Sequence, residues 1–170
     1  HNGLVAACYL ARAGFDVCIL ERYKDVGGAA FSEEIEGAPG HIASTGSYVL
    51  SLAPQKILQE LDLLNNGVEM IKRNPRSFAP FMDGEDGVVF WEKMDDTVKE
   101  IARFSPKDAK AYPVYDAMIE RACEIMDRYI LRNPPSFAEF VAEFNQPGDD
   151  HVLKFMILGS AADSAEYYFE

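Results

Sequence analysis

The order of elements in the first 21 residues constrains the fold more than any other feature of this sequence. Apolar residues recur there at intervals of three and four positions, namely Leu4, Ala7, Cys8 and Ala11. This spacing is typical of one helix face, and Gly14 predicts the end of that helix because glycine adopts the left-handed conformation without strain. Residues 15–20 are nearly continuously apolar after Asp16, which predicts a short β-strand buried on both faces, as in a parallel sheet. Glu21 follows this strand directly.

The positions of Gly3 and Glu21 fit a dinucleotide-binding βαβ unit. In such a unit the pattern G-x-G-x-x-G opens the helix, and an acid about 20 residues further on binds a ribose hydroxyl. Glu21 lies 18 positions after Gly3, so that Gly3 takes the place of the third glycine, with His1 and Asn2 before it. The first strand and the first two glycines of the pattern would then precede residue 1, and we expect the chain to be a fragment of a longer protein.

A glycine pair, Gly27-Gly28, follows this unit. Two adjacent glycines let the backbone approach a ligand without a Cβ in the way. A plain turn that leads into residues 31–35 explains the same pair, and both interpretations stay open at this point.

Charge restricts the partners. The chain has 16 basic and 28 acidic residues and a net charge of −12, which repels phosphate backbones, so that we expect no nucleic-acid partner. A nucleotide cofactor is not excluded, because backbone N–H groups and helix dipoles hold a pyrophosphate without lysines. The hydrophobic and charged fractions, 48% and 26%, are typical of a globular chain.

Cysteine usage and hydropathy bear on the compartment. Cys8, Cys18 and Cys123 are too few and too far apart for a disulfide framework or a Cys-x-x-Cys motif, and we expect them to be buried thiols in a reducing compartment, either cytoplasm or organellar matrix. No targeting signal is visible, and no run of about 18 uncharged apolar residues predicts a membrane-spanning helix. A peripheral membrane contact and the oligomeric state stay open.

The rest of the sequence predicts mostly helices with a few short strands. A loose hairpin is expected over 31–47, a helix from Pro54 to 65–67, a strand over 68–71, and a second hairpin near 78–91. Further helices are expected to begin at Ser105-Pro106, at a capping box of Ser136 and Glu139, and over 152–158 and 161–169. Along the long helix after Pro106, one apolar seam is expected: Tyr115, Ile119, Ala122, Met126 and Tyr129.

Four stretches of this sequence closely resemble the N-terminus of phytoene-desaturase-like FAD-dependent oxidoreductases: residues 1–7, 9–14, 21–22 and 27–30. The nearest branch is the one named for a pyridine nucleotide-disulfide oxidoreductase domain. The likeness continues through residues 47–52, 100–105 and 159–163, so that it covers nearly the whole chain. The widely spaced cysteines give no support to the word "disulfide" in the branch name.

The resemblance implies an α/β fold with an FAD-binding Rossmann domain interleaved with a substrate domain. Residues 1–50 would be a partial Rossmann region that lacks its first strand, and residues 51–170 the start of a mostly helical substrate-binding region with the hairpin near 78–91. By matching, the residues that bind FAD would be Asn2 and Gly3 at the pyrophosphate turn, Glu21 at the adenosine ribose, and Arg22, Gly27, Gly28 and Ala29 along the cofactor. Many relatives have Arg at the position of Ala29, so that one polar contact would be missing or made by backbone.

The function that this resemblance implies is flavin-dependent hydride transfer from a small apolar substrate, lipid-like or isoprenoid-like. Two alternatives stay open, an NAD(P)-dependent dehydrogenase and a non-catalytic interaction protein; Gly27-Gly28 and the large helical insertion favour FAD over NAD(P). No catalytic residue is assigned, no metal site is expected, and His41 fits a surface or packing role better than a catalytic one. Aromatic and Met side chains would line a substrate pocket or form ordinary core, which their helical spacing favours: Tyr115, Met118, Met126, Tyr129, Phe137, Phe140 and Phe144.

Overall fold

The computed structural model describes residues 1–47, 49–50, 52–82, 84 and 86–170. The chain forms two compact units, His1–Met70 (unit 1) and Ile71–Glu170 (unit 2). The domain boundary expected near residue 50 stays a prediction. Two residues of the stretch 47–52, Tyr48 and Ser51, lie outside the described residues, as do Asp83 and Glu85 of the turn expected within the second hairpin.

Unit 1 begins with the helix that the sequence predicts. Its elements are α1 (Asn2–Arg12), β1 (Ser32–Glu34), β2 (Ile42–Ser44) and α2 (Gln55–Glu60). Gly14 ends α1 with a φ of 88°. The amide of Gly14 donates to the Ala11 carbonyl at 3.0 Å, and the amide of Phe15 donates to the Leu10 carbonyl at 3.1 Å. These two bonds are a Schellman motif, which satisfies carbonyls that the helix end leaves unpaired.

The hairpin expected over residues 31–47 is confirmed. Strands β1 and β2 pair antiparallel, with Ser32 opposite Ser44 and Glu34 opposite Ile42. The reversal between them uses Gly37 and Gly40, which have φ values of 81° and 83°. Both glycines therefore adopt a backbone conformation that most other residues avoid.

Two predicted strands, over residues 15–20 and 68–71, are wrong. Neither segment is a strand, and Leu20 is 92% exposed where the sequence predicted burial on both faces. A strand requires a partner that satisfies its N–H and C=O groups, and the pairs found among the described residues are β1–β2 and β3–β4. Neither segment has such a partner there, so that its apolar composition alone does not make it a strand.

Helix α2 is confirmed but ends earlier than predicted. Pro54 precedes it with an extended backbone, and Leu58 is buried on its apolar face. The helix ends at Glu60 instead of near Gly67, because Asp62 adopts a left-handed conformation with a φ of 52°. The side-chain amide of Asn65 donates to the Asp62 carboxylate at 2.7 Å, which stabilises the turns that follow.

Unit 2 is mostly helical and contains the second hairpin, as predicted. Its elements are β3 (Ser77–Pro80), β4 (Gly87–Phe90), α3 (Met94–Ala102), α4 (Pro106–Asp127), α5 (Phe137–Val141), α6 (Asp149–Val152), a π-helix (Leu153–Leu158) and α7 (Ala161–Tyr168). Strands β3 and β4 pair antiparallel, with Ser77 opposite Phe90. The sequence reading missed α3, whose buried Thr97 hydroxyl accepts a 2.8 Å hydrogen bond from the Trp91 amide.

The predicted starts of α4, α5 and α7 are confirmed by their caps. The helix predicted from Val152 begins earlier, at Asp149, and continues as the π-helix. The Ser105 hydroxyl accepts from the Asp108 amide at 3.1 Å at the start of α4. Ser136 and Glu139 form the predicted capping box at the start of α5. Such caps satisfy the first N–H groups of a helix, which have no partner within it.

The core of unit 2 lies along α4, on a different stripe from the one predicted. Met118, Ala122, Val152 and Phe155 form the core cluster, with Tyr115, Phe144 and Tyr168 packed against it. Of the predicted seam only Ala122 is buried, while Met126 is 49% exposed. The prediction holds for Tyr115 and Ala122 and is wrong for Met126. Helix α6 and the π-helix cover the stripe that contains Met118, and the spacing of apolar residues allows either stripe.

The expectation of buried thiols is also wrong, since all three cysteines, Cys8, Cys18 and Cys123, are exposed. Cys8 lies on an exposed part of α1, and Cys18 lies in the segment over 15–20, which is not a strand. Among the described residues, every helix is too short or too polar to cross a membrane.

Candidate functional site

The start of α1 carries amides that are available to an anion. The Val5 amide bonds the His1 carbonyl at 3.1 Å as the first bond of the helix. His1 provides no side-chain cap, and the first turn contains no acidic residue. A Cβ added to Gly3 would meet no atom within 4 Å. The first N–H groups of a helix point outward with a partial positive charge, so that this end suits a phosphate group.

The turn of Gly27-Gly28 lies directly against this helix start. The α-amino group of His1 donates to the Gly27 carbonyl at 3.1 Å, and the His1 Nδ1 atom lies 3.3 Å from the same oxygen. The Ala30 amide also donates to the Gly27 carbonyl, at 3.1 Å, which closes the turn. The structure therefore brings together the helix start and the glycine pair, which the sequence separates by more than 20 positions.

Both glycines of the pair have conformations that favour glycine. Gly27 has a φ of 132° and Gly28 a φ of 61°. A Cβ on Gly27 would lie 2.8 Å from the Ala30 carbonyl oxygen, whereas a Cβ on Gly28 would meet nothing within 4 Å. The turn itself therefore requires glycine at position 27, while the open space beside Gly28 leaves room for a ligand.

Gly46 makes a close backbone contact with Ala29 that the sequence did not predict. A Cβ there would lie 3.0 Å from the Ala29 carbonyl oxygen. The end of the hairpin is held nearby, because the Thr45 amide donates to the Phe31 carbonyl at 3.1 Å. The backbone of Gly46 thus packs closely on the glycine turn. A lone glycine in the polar run of residues 44–47 was the only sequence signal for it.

Glu21 and Arg22 lie in the exposed loop that follows residues 15–20. The Tyr23 amide donates to Glu21 Oε1 at 2.9 Å, and the Arg22 guanidinium lies 5.0 Å from the centre of the Tyr23 ring. Among the described residues, no hydrogen bond joins Glu21 to the start of α1 or to the glycine pair. The roles of Glu21 and Arg22 in a common site with Gly3 stay a prediction.

Helix α1 is held in unit 1 by a residue that the sequence reading did not single out. The Tyr9 hydroxyl donates to Glu60 Oε2 at 2.6 Å, and Arg12 donates to the Glu60 carbonyl. The hydrogen bond to Glu60 raises the pKa of Tyr9. No local pattern predicts this contact, because Glu60 lies 51 positions from Tyr9.

The seven aromatic and Met residues that were expected to line a pocket or to form core divide into two groups. Met118 is buried in the core, and Tyr115 and Phe144 pack against it. The other four line an open groove of about 380 Å³ (the aromatic groove), together with Arg132 and two prolines: Met126, Tyr129, Phe137, Phe140, Pro134 and Pro135.

A buried ion pair in unit 2 was also missed. Arg121 binds Asp149 through two hydrogen bonds, Nε to Oδ1 at 3.0 Å and Nη2 to Oδ2 at 2.9 Å. The Gln146 amide donates to the same carboxylate at 3.0 Å. The side chain of Asp149 is 4% exposed, and its hydrogen bonds to Arg121 lower the pKa of Asp149. Each partner satisfies the other, so that this pair serves the packing of α4 against α6.

The described residues contain no group of three or more His, Cys, Asp and Glu side chains placed to hold a metal ion. His41 is exposed. Catalytic residues therefore stay unassigned, and the arrangement that suits a ligand in unit 1 is the helix start with the glycine turn beside it.

Comparison with known proteins defines the class of this site. Residues 1–61 match the family described as NAD(P)-binding Rossmann-like domain. This part of the chain is therefore an NAD(P)-binding Rossmann-like domain, a class that binds dinucleotide cofactors. The matched range contains α1, the Gly27-Gly28 turn and Glu21.

Three relatives are similar to most of the chain. The chain is 37% identical over 146 residues to "Pyridine nucleotide-disulfide oxidoreductase domain-containing protein 2" of Rattus norvegicus, which covers 81% of this chain and 24% of the relative. It is 33% identical over 112 residues to a limonene dehydrogenase component of Castellaniella defragrans, 66% of this chain and 20% of the relative. It is 24% identical over 186 residues to "Carotenoid 3,4-desaturase" of Haloarcula japonica, 99% of this chain and 34% of the relative.

These matches confirm the resemblance to the branch named for a pyridine nucleotide-disulfide oxidoreductase domain. The chain spans about a quarter of the length of the rat relative. No solved structure matches the chain.

Proposed function

We propose that this chain is the nucleotide-binding part of a flavin-dependent oxidoreductase of the phytoene desaturase type, acting on an apolar, lipid-like or isoprenoid-like substrate. The observation that carries the proposal is the uncapped start of α1 beside the Gly27-Gly28 turn, with Gly27 accepting from His1 at 3.1 Å. The Rossmann-like match over residues 1–61 supports a dinucleotide at this place.

The substrate class is supported by the names of two relatives. One is named for the dehydrogenation of limonene and the other for the desaturation of a carotenoid, and both of these molecules are apolar isoprenoids. By extension, we propose hydride removal from a similar apolar substrate here. A bound flavin would supply that chemistry by accepting the hydride, while the protein binds and orients the cofactor and excludes water.

The residues present fit an adenine dinucleotide. The amides of Asn2 and Gly3 would bind the pyrophosphate, because they are first-turn groups without a side-chain cap and Gly3 leaves open space beside them. The backbone of Gly27, Gly28 and Ala29 would run along the cofactor. The exposed carboxylate of Glu21 would accept from a ribose hydroxyl, and Arg22 would lie nearby.

A second candidate is an NAD(P)-dependent dehydrogenase. The observation that favours it is the description of the matching family, which names NAD(P) as its ligand. It would use the same helix start and the same acid, because both cofactors share an adenosine diphosphate part.

The test is to purify the complete protein that contains this chain and to denature it after recording its absorption spectrum. We expect flavin absorption from the native protein and free FAD after denaturation. A colourless protein that binds NADH would favour the dehydrogenase. A protein that binds neither would contradict both enzymes and favour an interaction protein.

The variant Glu21→Ala sharpens this test. Loss of a charge-assisted hydrogen bond to the ribose is expected to weaken cofactor binding by about 1–3 kcal/mol. Glu36→Ala is the matched control, since Glu36 is an exposed carboxylate of unit 1 in the turn of the first hairpin. Equal cofactor retention by Glu21→Ala and Glu36→Ala would remove Glu21 from the site.

A further inference from the structure

The aromatic groove lies where the chain leaves α4 and enters α5. Its volume is about 380 Å³, within the range of sites that bind small ligands. Phe137 is 66% exposed and Met126 is 49% exposed. Large apolar side chains at this exposure cost free energy in water, so that an apolar ligand covering them would be stabilised.

The walls of the groove are held by local contacts. After α4 the amide of Tyr129 donates to the Met126 carbonyl at 2.9 Å, and the amide of Arg132 donates to the Tyr129 carbonyl at 3.1 Å. The Tyr129 hydroxyl donates to Glu143 Oε1 at 2.8 Å, and its ring packs edge-to-face on Phe140 at a centroid distance of 5.9 Å. The capping box of Ser136 fixes the start of α5. These contacts hold Tyr129, Phe140 and the start of α5 in place.

The groove contains one charged residue, Arg132. Arg132 is exposed, and no carboxylate of the described residues forms a salt bridge with it. Two other arginines of unit 2 differ in this respect, because Arg128 pairs with Glu143 and Arg121 pairs with Asp149. An apolar groove with one available guanidinium suits a ligand with an apolar chain and one anionic end, since arginine binds carboxylates through two parallel hydrogen bonds.

We propose that the aromatic groove binds one monomeric fatty acid, with its carboxylate on Arg132 and its alkyl chain on Met126, Phe137 and the prolines. The net charge of −12 argues against an anionic membrane surface as the occupant, because such a surface meets the charge of the whole chain. A single carboxylate is governed by the arginine in contact with it, since more distant surface charges are screened within about 10 Å at 0.1 M salt. The proposal does not depend on the oxidoreductase function.

The test is calorimetric titration of the complete protein that contains this chain with decanoate below its micelle concentration. We compare the parent chain with Arg132→Gln and Phe137→Ala, and with the neutral ligand 1-decanol. Arg73→Gln and Leu158→Ala are matched controls, because Arg73 is an exposed arginine of unit 2 outside the groove and Leu158 is 65% exposed. All four positions are exposed, so that the variants are expected to fold, which circular dichroism checks.

We expect one decanoate per chain. Arg132→Gln should weaken decanoate binding about tenfold, the equivalent of one charge-assisted hydrogen bond, and leave decanol binding unchanged. Phe137→Ala should weaken both ligands about threefold or more through lost apolar contact. The two controls should bind decanoate as the parent does.

Three results would overturn the proposal. One is unchanged decanoate binding in Arg132→Gln, and another is an equal loss in Arg73→Gln, which would reflect net charge alone. The third is binding of phosphatidylglycerol vesicles without binding of monomeric decanoate, which would assign the groove to a membrane surface.

Discussion

The two units of this chain differ in how many of their apolar side chains are buried. Unit 2 has a core in which Ile125 is fully buried and Met118, Ala122, Val152 and Phe155 form a cluster. In unit 1 the buried hydrophobic residues among those described are Ala7 and Leu58. Many of its large apolar side chains are exposed instead: Leu4, Leu10, Phe15, Ile19, Leu20, Val26, Ile35, Ile42, Leu50, Leu52, Leu64, Val68 and Met70.

This difference shows that apolar residues at helical spacing do not by themselves form a buried core. The stripe on α1 has correct helical spacing, yet only Ala7 is buried, because no described element of unit 1 covers the rest of it. The stripe on α4 is buried because α6, the π-helix and α7 lie against it. In unit 2, helices that follow one another in the sequence pack against each other. The parallel strand expected in unit 1 would need to pair with a strand that lies far from it in the sequence.

The largest expected effect tests whether the two units differ in stability as they differ in burial. Ile125→Ala removes a fully buried side chain from unit 2 and is expected to lower the free energy of unfolding by about 3 kcal/mol. Leu20→Ala in unit 1 is expected to change it by less than about 0.5 kcal/mol, because Leu20 is 92% exposed. Urea unfolding followed by circular dichroism measures both. Equal losses would mean that Leu20 is covered in solution.

The next effect concerns the buried ion pair of unit 2. Asp149→Asn removes the buried carboxylate that binds Arg121 through two hydrogen bonds and is expected to cost about 2–3 kcal/mol. The other ionic partner of Arg121, Glu124, is largely exposed and replaces little of this interaction. Asp150→Asn is the control, because Asp150 is exposed in the same first turn of α6. The pKa of Asp149 is lowered from the ordinary value of 3.8, so that its stabilisation is fully present above pH 3.8 and is lost as the pH falls through the lowered value. The difference between parent and variant should therefore shrink only in strong acid.

A smaller effect separates folding from ligand binding in unit 1. Gly3→Ala is expected to raise stability by about 0.5 kcal/mol, because alanine favours the helix and its Cβ would meet no atom within 4 Å. The same Cβ would occupy the space beside the first-turn amides and weaken dinucleotide binding by roughly tenfold. Unfolding and cofactor titration measure the two quantities. If the variant binds the cofactor as the parent does, the start of α1 is not the pyrophosphate site.

The smallest expected effect concerns how the stability of the two units depends on pH. The pKa of Tyr9 is raised from 10.0 by its hydrogen bond to Glu60. The stabilisation from this bond is present below pH 10 and is lost as the pH rises through the raised value, which is the reverse of the Asp149 case. Tyr9→Phe should remove a small alkaline loss of stability and leave the acid limb unchanged. If the variant loses as much stability at alkaline pH as the parent does, Tyr9 is not the source of that loss.

The parts of the candidate site that the sequence predicted are those defined by short-range chemistry. Gly14 ends α1 with a positive φ, and Gly27 and Gly28 form a turn, as their residue types require. The contact of His1 with Gly27 joins residues 26 positions apart, and the close approach of Gly46 to Ala29 depends on the hairpin. Neither follows from local pattern, because both depend on where the chain returns.

The sequence by itself determined the starts of α4 and α5, the end of α1 and the two hairpins. Ser105, Ser136 and Gly14 act on amides and carbonyls within a few positions of themselves, so that their effect does not depend on the rest of the fold. The tertiary structure alone decided that Met118 instead of Met126 enters the core, that Cys8 and Cys18 are exposed, and that residues 15–20 are not a strand. Burial and strand pairing each need two surfaces in contact. A single stretch of sequence specifies one of these surfaces, and the tertiary structure decides which surface it meets.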